Sequence, residues 1–220
     1  MKPNSLRIFK KKNGINLTPD QLGALVLTIL LLLLVFLEKP LGYSFDGWVT
    51  FVSILWFLYL IVLLVSSFFR YEPEFGNYTG YLTLCQEKIQ VDKEDIELTN
   101  IEKLEFVHAY DIRGRFKNPI LRIKPRLSNG LDNLVEITLK NGNKIKENFL
   151  QTESDRLMNF KELLILYHQN GIISWLHLLD LLEITDYSEI QEFKKEVNNY
   201  GQQRISVSYT HLTLPTICSV

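Results

Sequence analysis

The residues best equipped for chemistry in this chain lie in one run, Arg113–Arg126 (RGRFKNPILRIKPR), which holds six basic side chains and no acid. They are Arg113, Arg115, Lys117, Arg122, Lys124 and Arg126. Cations at this density attract an anionic partner, and two partners are open to them. One is a surface outside the chain, such as lipid headgroups or an acidic protein. The other is the chain's own Glu87–Asp111 stretch, where eight acids face three lysines and cross-strand ion pairs would leave a solvated sheet face. If Ile120–Arg126 is a strand, Arg122, Lys124 and Arg126 share one face at intervals of about 6.6–6.8 Å, with Arg113–Lys117 in the adjoining loop around Gly114. Nucleic acid is not the expected partner. Phe116 is the one aromatic in the run, the soluble portion is acidic, and no groove-reading motif is present.

Groups suited to catalysis are few. His177 and Asp180 stand three apart in a helical pattern and could form an acid–base couple, but surface neighbours at that spacing are far commoner. His168 falls near a helix C-terminus, where a cation offsets the dipole. His108 is expected on a core-facing strand position. Cys85 reads as a small packing residue. No Cys or His pair has metal-ligand spacing, and no phosphate loop, G-x-S-x-G or dinucleotide fingerprint occurs. The expectation is a non-enzymatic protein with no cofactor and no metal. The alternative is an enzyme, or an accessory transport or regulatory subunit, with a site near the C-terminal helices that His177, Asp180 and His108 would line.

The elements that must position these residues begin with two apolar stretches. Leu22–Leu37 carries no charge over sixteen residues and extends toward Leu17, and Trp48–Phe69 carries none over twenty-two. A bilayer span needs about 20 residues at 1.5 Å each. The short loop Glu38–Gly47, with Pro40, Gly42 and Gly47, makes the pair a hairpin. A signal peptide is disfavoured because Glu38-Lys39-Pro40-Leu41 offers no small-residue cleavage pattern and a second span follows. Lys2, Arg7, Lys10, Lys11 and Lys12 precede the first span and Arg70 follows the second, whereas the loop has only Lys39. Both termini are therefore expected to be cytoplasmic. Neither span carries an ionisable side chain of the kind pumps and proton relays use, so the hairpin reads as an anchor.

From Tyr78 the hydrophobic period becomes two. Short runs at Tyr81–Cys85, Ile89/Val91, Ile96/Leu98, Leu104–Ile112, Ile120–Arg126, Val135–Leu139 and Ile145–Phe149 predict seven strands in meander order. Asn141-Gly142 predicts a hairpin of type I′. A helix follows, opened by Thr152 and Asp155, with Leu157, Phe160, Leu164 and Tyr167 on one face and Gly171 at its end. Ser174 and Asp186 open two more. The fold class is α+β: a transmembrane hairpin, then a seven-strand antiparallel sheet capped by a helix, with further helices.

Seven strands and one closing amphipathic helix, over Tyr78–Gly171, resemble the pleckstrin-homology-like fold in element order, and the whole chain is similar to bacterial membrane proteins with two N-terminal spans and a cytosolic domain of this kind. The resemblance implies a half-open barrel plugged by its helix and an inner (plasma) membrane location. It transfers no binding residue. Val207–Val220 (VSYTHLTLPTICSV) resembles a translated sequencing-library adapter and is set aside as non-native, leaving Cys85 as the one native cysteine and no basis for an internal disulfide. The expected organisation is a basic cytosolic segment (1–20), a hairpin (21–71, spans 21–37 and 48–69), a β domain with its closing helix (76–171), a helical extension (172–205) and the tail (206–220). The expected function is binding of a protein partner or anionic lipid at the membrane surface through the six basic residues. No oligomeric state is implied, since neither span has a G-x-x-x-G face.

Overall fold

Seven antiparallel strands form one sheet in the computed structural model, and the first of them precedes both apolar helices. The structure describes residues 4–12, 14, 16–41, 44–117 and 125–207, in two compact units. The first unit takes residues 1–11, 76–113 and 130–220; the second takes 12–75 and 114–129.

In the first unit the strands are β1 (Ser5–Lys11), β2 (Gly76–Leu84), β3 (Lys88–Val91), β4 (Glu94–Glu97), β5 (Ile101–Val107), β6 (Asn133–Leu139) and β7 (Lys144–Phe149), in spatial order β4-β3-β2-β1-β7-β6-β5. The segment expected to be a basic N-terminal extension thus contains the middle strand. Its sequence alternates in part: Leu6 and Ile8 are buried while Arg7 and Lys10 are exposed, and a register shift between Ile8 and Phe9 lets Phe9 be buried too. The charges of Arg7, Lys10 and Lys11 obscure that pattern in the sequence. β1 pairs with β2 from Ser5↔Thr83 to Lys11↔Gly76, and Gly76 is required there. A Cβ at that position would fall 2.2 Å from the Lys10 carbonyl oxygen.

The first and last strands of the spatial order are joined directly in sequence. Only the 3₁₀ turn Leu98–Asn100 separates β4 from β5. Four residue steps reach at most about 14 Å, whereas seven flat strands would be about 29 Å across. The sheet must therefore curl until its two edges approach. The outward amides of edge strand β5 are covered: Leu104 N donates to Ile172 O (2.8 Å) and Phe106 N to the His177 ring (2.9 Å). This blunts an edge that would otherwise template aggregation.

Helices fill the concave side. α3 (Lys161–Gln169) follows a 3₁₀ turn at Leu157–Phe160; Leu157, Phe160, Leu164 and Tyr167 are all buried in the main core, as their spacing predicts. Thr152 and Asp155 do form the expected reciprocal turn, but the α-helix starts later. Gly171 (φ 77°) ends the segment. α4 (Trp175–Leu181) is capped by Ser174, and α5 (Tyr187–Val207) adds Phe193 and Val197 to the same core. Three expectations change. β5 stops at Val107, because His108 adopts φ 55° and turns the chain, so His108 is exposed instead of core-facing. The Asn141-Gly142 hairpin forms with only Gly142 left-handed (φ 85°), which is not a type I′ turn. Arg126 belongs to no strand of the sheet, whose seventh member is β1, and 118–124 lie outside the described residues.

In the second unit, α1 (Pro19–Leu41) and α2 (Asp46–Ser67) are each long and apolar enough to cross a membrane. α1 opens on a capping box: Gln21 N donates to Thr18 Oγ1 (3.2 Å) and Thr18 N to Gln21 Oε1 (3.1 Å), with Pro19 at the first helical position. Large apolar side chains point outward along both helices, among them Phe36, Phe57 and Val62. Gly23 lets α2 approach, since a Cβ there would lie 2.5 Å from Tyr59 Oη, and Trp56 Nε1 donates to Thr28 Oγ1 (3.2 Å). Asp20 at the start of α1 pairs with Arg70 after α2, so the two helices begin and end side by side.

Because β1 is central, residues 76–205 alone should not fold. Replacing residues 13–74 by Asn-Gly, which joins the Lys12–Phe75 end of the ladder (Lys12 N to Phe75 O, 2.9 Å), should yield a module with one cooperative thermal transition by circular dichroism.

Candidate functional site

Six cations in fourteen residues cannot share a buried sheet face without partners, and the described residues 114–117 and 125–126 belong to the second unit, between β5 and β6 in sequence. The loop's base is fixed by a buried polar knot in the first unit. Asn133 is fully buried. Its Nδ2 donates to Asp111 O (2.7 Å), Gly130 O (2.8 Å) and Phe149 O (3.3 Å). Its Oδ1 accepts from Asp111 N (3.0 Å) and Gln151 Nε2 (3.0 Å). Gln151, also buried, donates to Ala109 O (2.6 Å) and accepts from Leu157 N (2.9 Å). Gly130 (φ 74°) is held where a Cβ would meet Gln151 O at 2.4 Å. The knot closes the loop ends, with Arg113 N donating to Gln151 O (3.0 Å).

Beyond that base, 114–117 and 126–128 form a narrow antiparallel ribbon in the second unit. Gly114 N donates to Ser128 O (3.0 Å), Ser128 N to Arg115 O (2.9 Å) and Lys117 N to Arg126 O (3.0 Å). The ribbon is fastened to the end of α2. Arg126 N donates to Ser67 O (2.9 Å), which occupies a carbonyl that the helix terminus leaves open, and Leu127 N donates to Arg70 O (3.2 Å). Glu72 N returns a bond to Leu127 O (2.8 Å). Side chains reinforce this: Lys117 Nζ pairs with Glu72 (2.8 Å), and the Arg126 guanidinium lies over the Phe68 ring, 3.4 Å from its centroid. Arg70 holds Asp20 and donates to Ser66 Oγ (2.7 Å). Cations gathered here also meet the negative end of the α2 dipole.

Of the six expected binding residues, Arg115, Lys117 and Arg126 are brought together at the hairpin end. Arg113 is exposed at the edge of the first unit, and Arg122 and Lys124 lie outside the described residues. Lys117 pairs with Glu72, a few residues after α2, and cross-strand pairs form within the sheet between Glu136 and both Lys144 and Lys146. Those lysines hold the Glu136 carboxyl below its ordinary range, chiefly by hydrogen bonding. Phe68, Ser67 and Glu72 were not legible as site residues.

The histidines have structural work. His177 Nε2 accepts the Phe106 amide, which requires a neutral ring. Burial pushes its pKa down, partly opposed by the Asp180 and Glu105 charges. Asp180 in turn bonds Tyr110, whose hydroxyl is pushed up to about 12, first by burial and then by that bond. His168 Nδ1 meets Ile173 O (2.9 Å) and its ring packs on Trp175. A cleft of about 980 Å³ lies at the curled sheet's edges, lined by residues including Lys88, Glu97, Glu102, Lys140 and Asn170, and none of His108, His177 or Asp180 lines it. Among the described residues no cluster of three or more His, Cys, Asp or Glu could hold a metal ion. Cys85 is buried, receives a bond from Tyr167 Oη on its carbonyl (2.7 Å), and is not the free thiol expected of a lone cysteine. Comparison with protein-family models, curated proteins and solved structures returns no match.

Two measurements probe these networks. Asn133→Ala strands several buried partners and should cost on the order of 3 kcal/mol in chemical denaturation of the full chain in detergent. A neutral His177 is favoured by the fold, so the unfolded state binds the extra proton first. Stability should hold above about pH 6.5 and fall below it. His177→Gln keeps an acceptor without the titration, and should flatten the drop in melting temperature between pH 7.5 and pH 5.

Proposed function

We propose that this chain is a non-enzymatic integral membrane protein, anchored in the inner (plasma) membrane by its hairpin, with both ends of the hairpin and a pleckstrin-homology-like module on the cytoplasmic side. Its basic ribbon meets anionic lipid headgroups at the bilayer surface. The observation that carries the reading is the fastening of Arg115, Lys117 and Arg126 to the same end of the hairpin at which Asp20 and Arg70 pair. A span entering at Asp20 and leaving at Arg70 sets that end at the headgroup level. Each basic side chain near an anionic surface contributes about 1 kcal/mol. The excess of lysine and arginine flanking the spans supports a cytoplasmic assignment for this end. A curled seven-strand sheet with a helix in its concavity supports the pleckstrin-homology-like reading of the module. Lipid is preferred to a protein partner because the ribbon's cations are held next to the span instead of being presented on the sheet.

Phosphatidylglycerol should raise the melting temperature of the purified full-length protein in neutral detergent, and phosphatidylcholine should not. Replacing Arg115, Arg122 and Lys124 together by Glu should remove most of that increment, as should 0.5 M salt acting through roughly threefold shorter screening than at low ionic strength. A wild type indifferent to phosphatidylglycerol would move the proposal to a protein partner.

A further inference from the structure

Among the cations at the hairpin end, Arg126 is held differently from its neighbours. The acids of the second unit beside it are already taken: Asp20 by Arg70, and Glu72 by Lys117. Arg70 uses both Nη groups, on Asp20 and Ser66. Arg126 is stacked flat on Phe68, the residue that caps α2, and its backbone is pinned by the bond to Ser67 O. Its Nε is buried with no hydrogen-bond acceptor, as is that of Arg70, but Arg126 as a whole stays part-exposed and among the described residues no carboxylate pairs with its guanidinium. Stacking fixes the plane of the fork, and pinning fixes its position, so the entropy of ordering a long side chain is already spent. A rigid, planar cation lacking an acceptor is suited to a tetrahedral oxyanion that takes two parallel N–H bonds. Its place, stacked on the residue that ends α2, selects an oxyanion that lives at the depth of that helix end.

We infer that Arg126, stacked on Phe68, is a discrete seat for the phosphodiester of an anionic phospholipid headgroup. The inference rests on the lipid-surface reading above and goes beyond it, because a diffuse basic surface would accept any cation at this position. The seat needs the guanidinium's shape. Lysine keeps the charge but neither stacks as a plane nor donates in a fork. The aromatic ring is the second component, since it holds the fork in place without itself contacting the headgroup.

The test is native mass spectrometry of the full-length protein extracted from vesicles of equal parts phosphatidylglycerol and phosphatidylcholine. Wild type is expected to retain phosphatidylglycerol selectively. Arg126→Lys and Phe68→Leu, which leave net charge unchanged, are each expected to lower that retention at least fivefold while the melting temperature without lipid shifts little. Phe68→Leu keeps the inference open to refutation if Arg126→Lys fails to fold. Retention unchanged in both variants, with loss only on charge reversal at Arg115, Arg122 and Lys124, overturns the seat and leaves the surface reading standing. No selectivity in the wild type overturns both. Displacement of the lipid by millimolar inorganic phosphate would show a free-phosphate site and overturn the lipid assignment; retention in its presence supports it.

Discussion

The pairing of β1 with β2 is the constraint on which the rest depends. Lys11 and Gly76 are direct partners across an antiparallel ladder, although more than sixty residues separate them, and those residues include both apolar helices. In effect the hairpin is the connection of a β-hairpin, enlarged to the size of a second unit. Such a connection must return to where it left. The adjacency of the two helix ends that Asp20 and Arg70 record agrees with that return. Losing β1 would split the sheet at its middle, between β2 and β7.

A second connection follows the same plan. The β5–β6 loop leaves the sheet at Arg113, contributes 114–129 to the unit that contains the helices, and returns at Gly130. Its departure is specified inside the sheet unit by the Asn133–Gln151 knot, a satisfied buried network of the kind that selects one conformation over others. Its arrival is specified by backbone bonds at the end of α2. Two loops of one sheet therefore build the second unit, and the chemistry of interest sits on a loop held by rigid elements.

Polar groups elsewhere serve the sheet. The strand order places β4 and β5 at the edges, and the edge of β5 is closed by Ile172 and His177. Accepting a backbone amide at Nε2 keeps the His177 ring neutral and ties it to the sheet edge. His177 and Asp180, three apart on one helix, serve two tasks: one caps an edge strand and the other holds the Tyr110 hydroxyl.

Local pattern alone determined the two apolar helices, six of the seven strands, the buried face Leu157–Phe160–Leu164–Tyr167 and the cap at Ser174, because each depends on periodicity or on a turn residue within a few positions. It also isolated the basic run. Tertiary structure decided the rest. β1 was hidden because its exposed positions are cationic and its partners lie far along the chain, at Phe149 and at Gly76–Thr83. The place of Arg126 was not visible because alternation in Ile120–Arg126 is a local signal, and 118–124 lie outside the described residues. Only the distant acceptors Ser67 O and Arg70 O fix that place, and long-range hydrogen bonds leave no periodic trace in a sequence. The same holds for Arg126 and Phe68. Their types were visible from the start, and their stacking was not, because it depends on two elements meeting that are separated in sequence by β2 to β5.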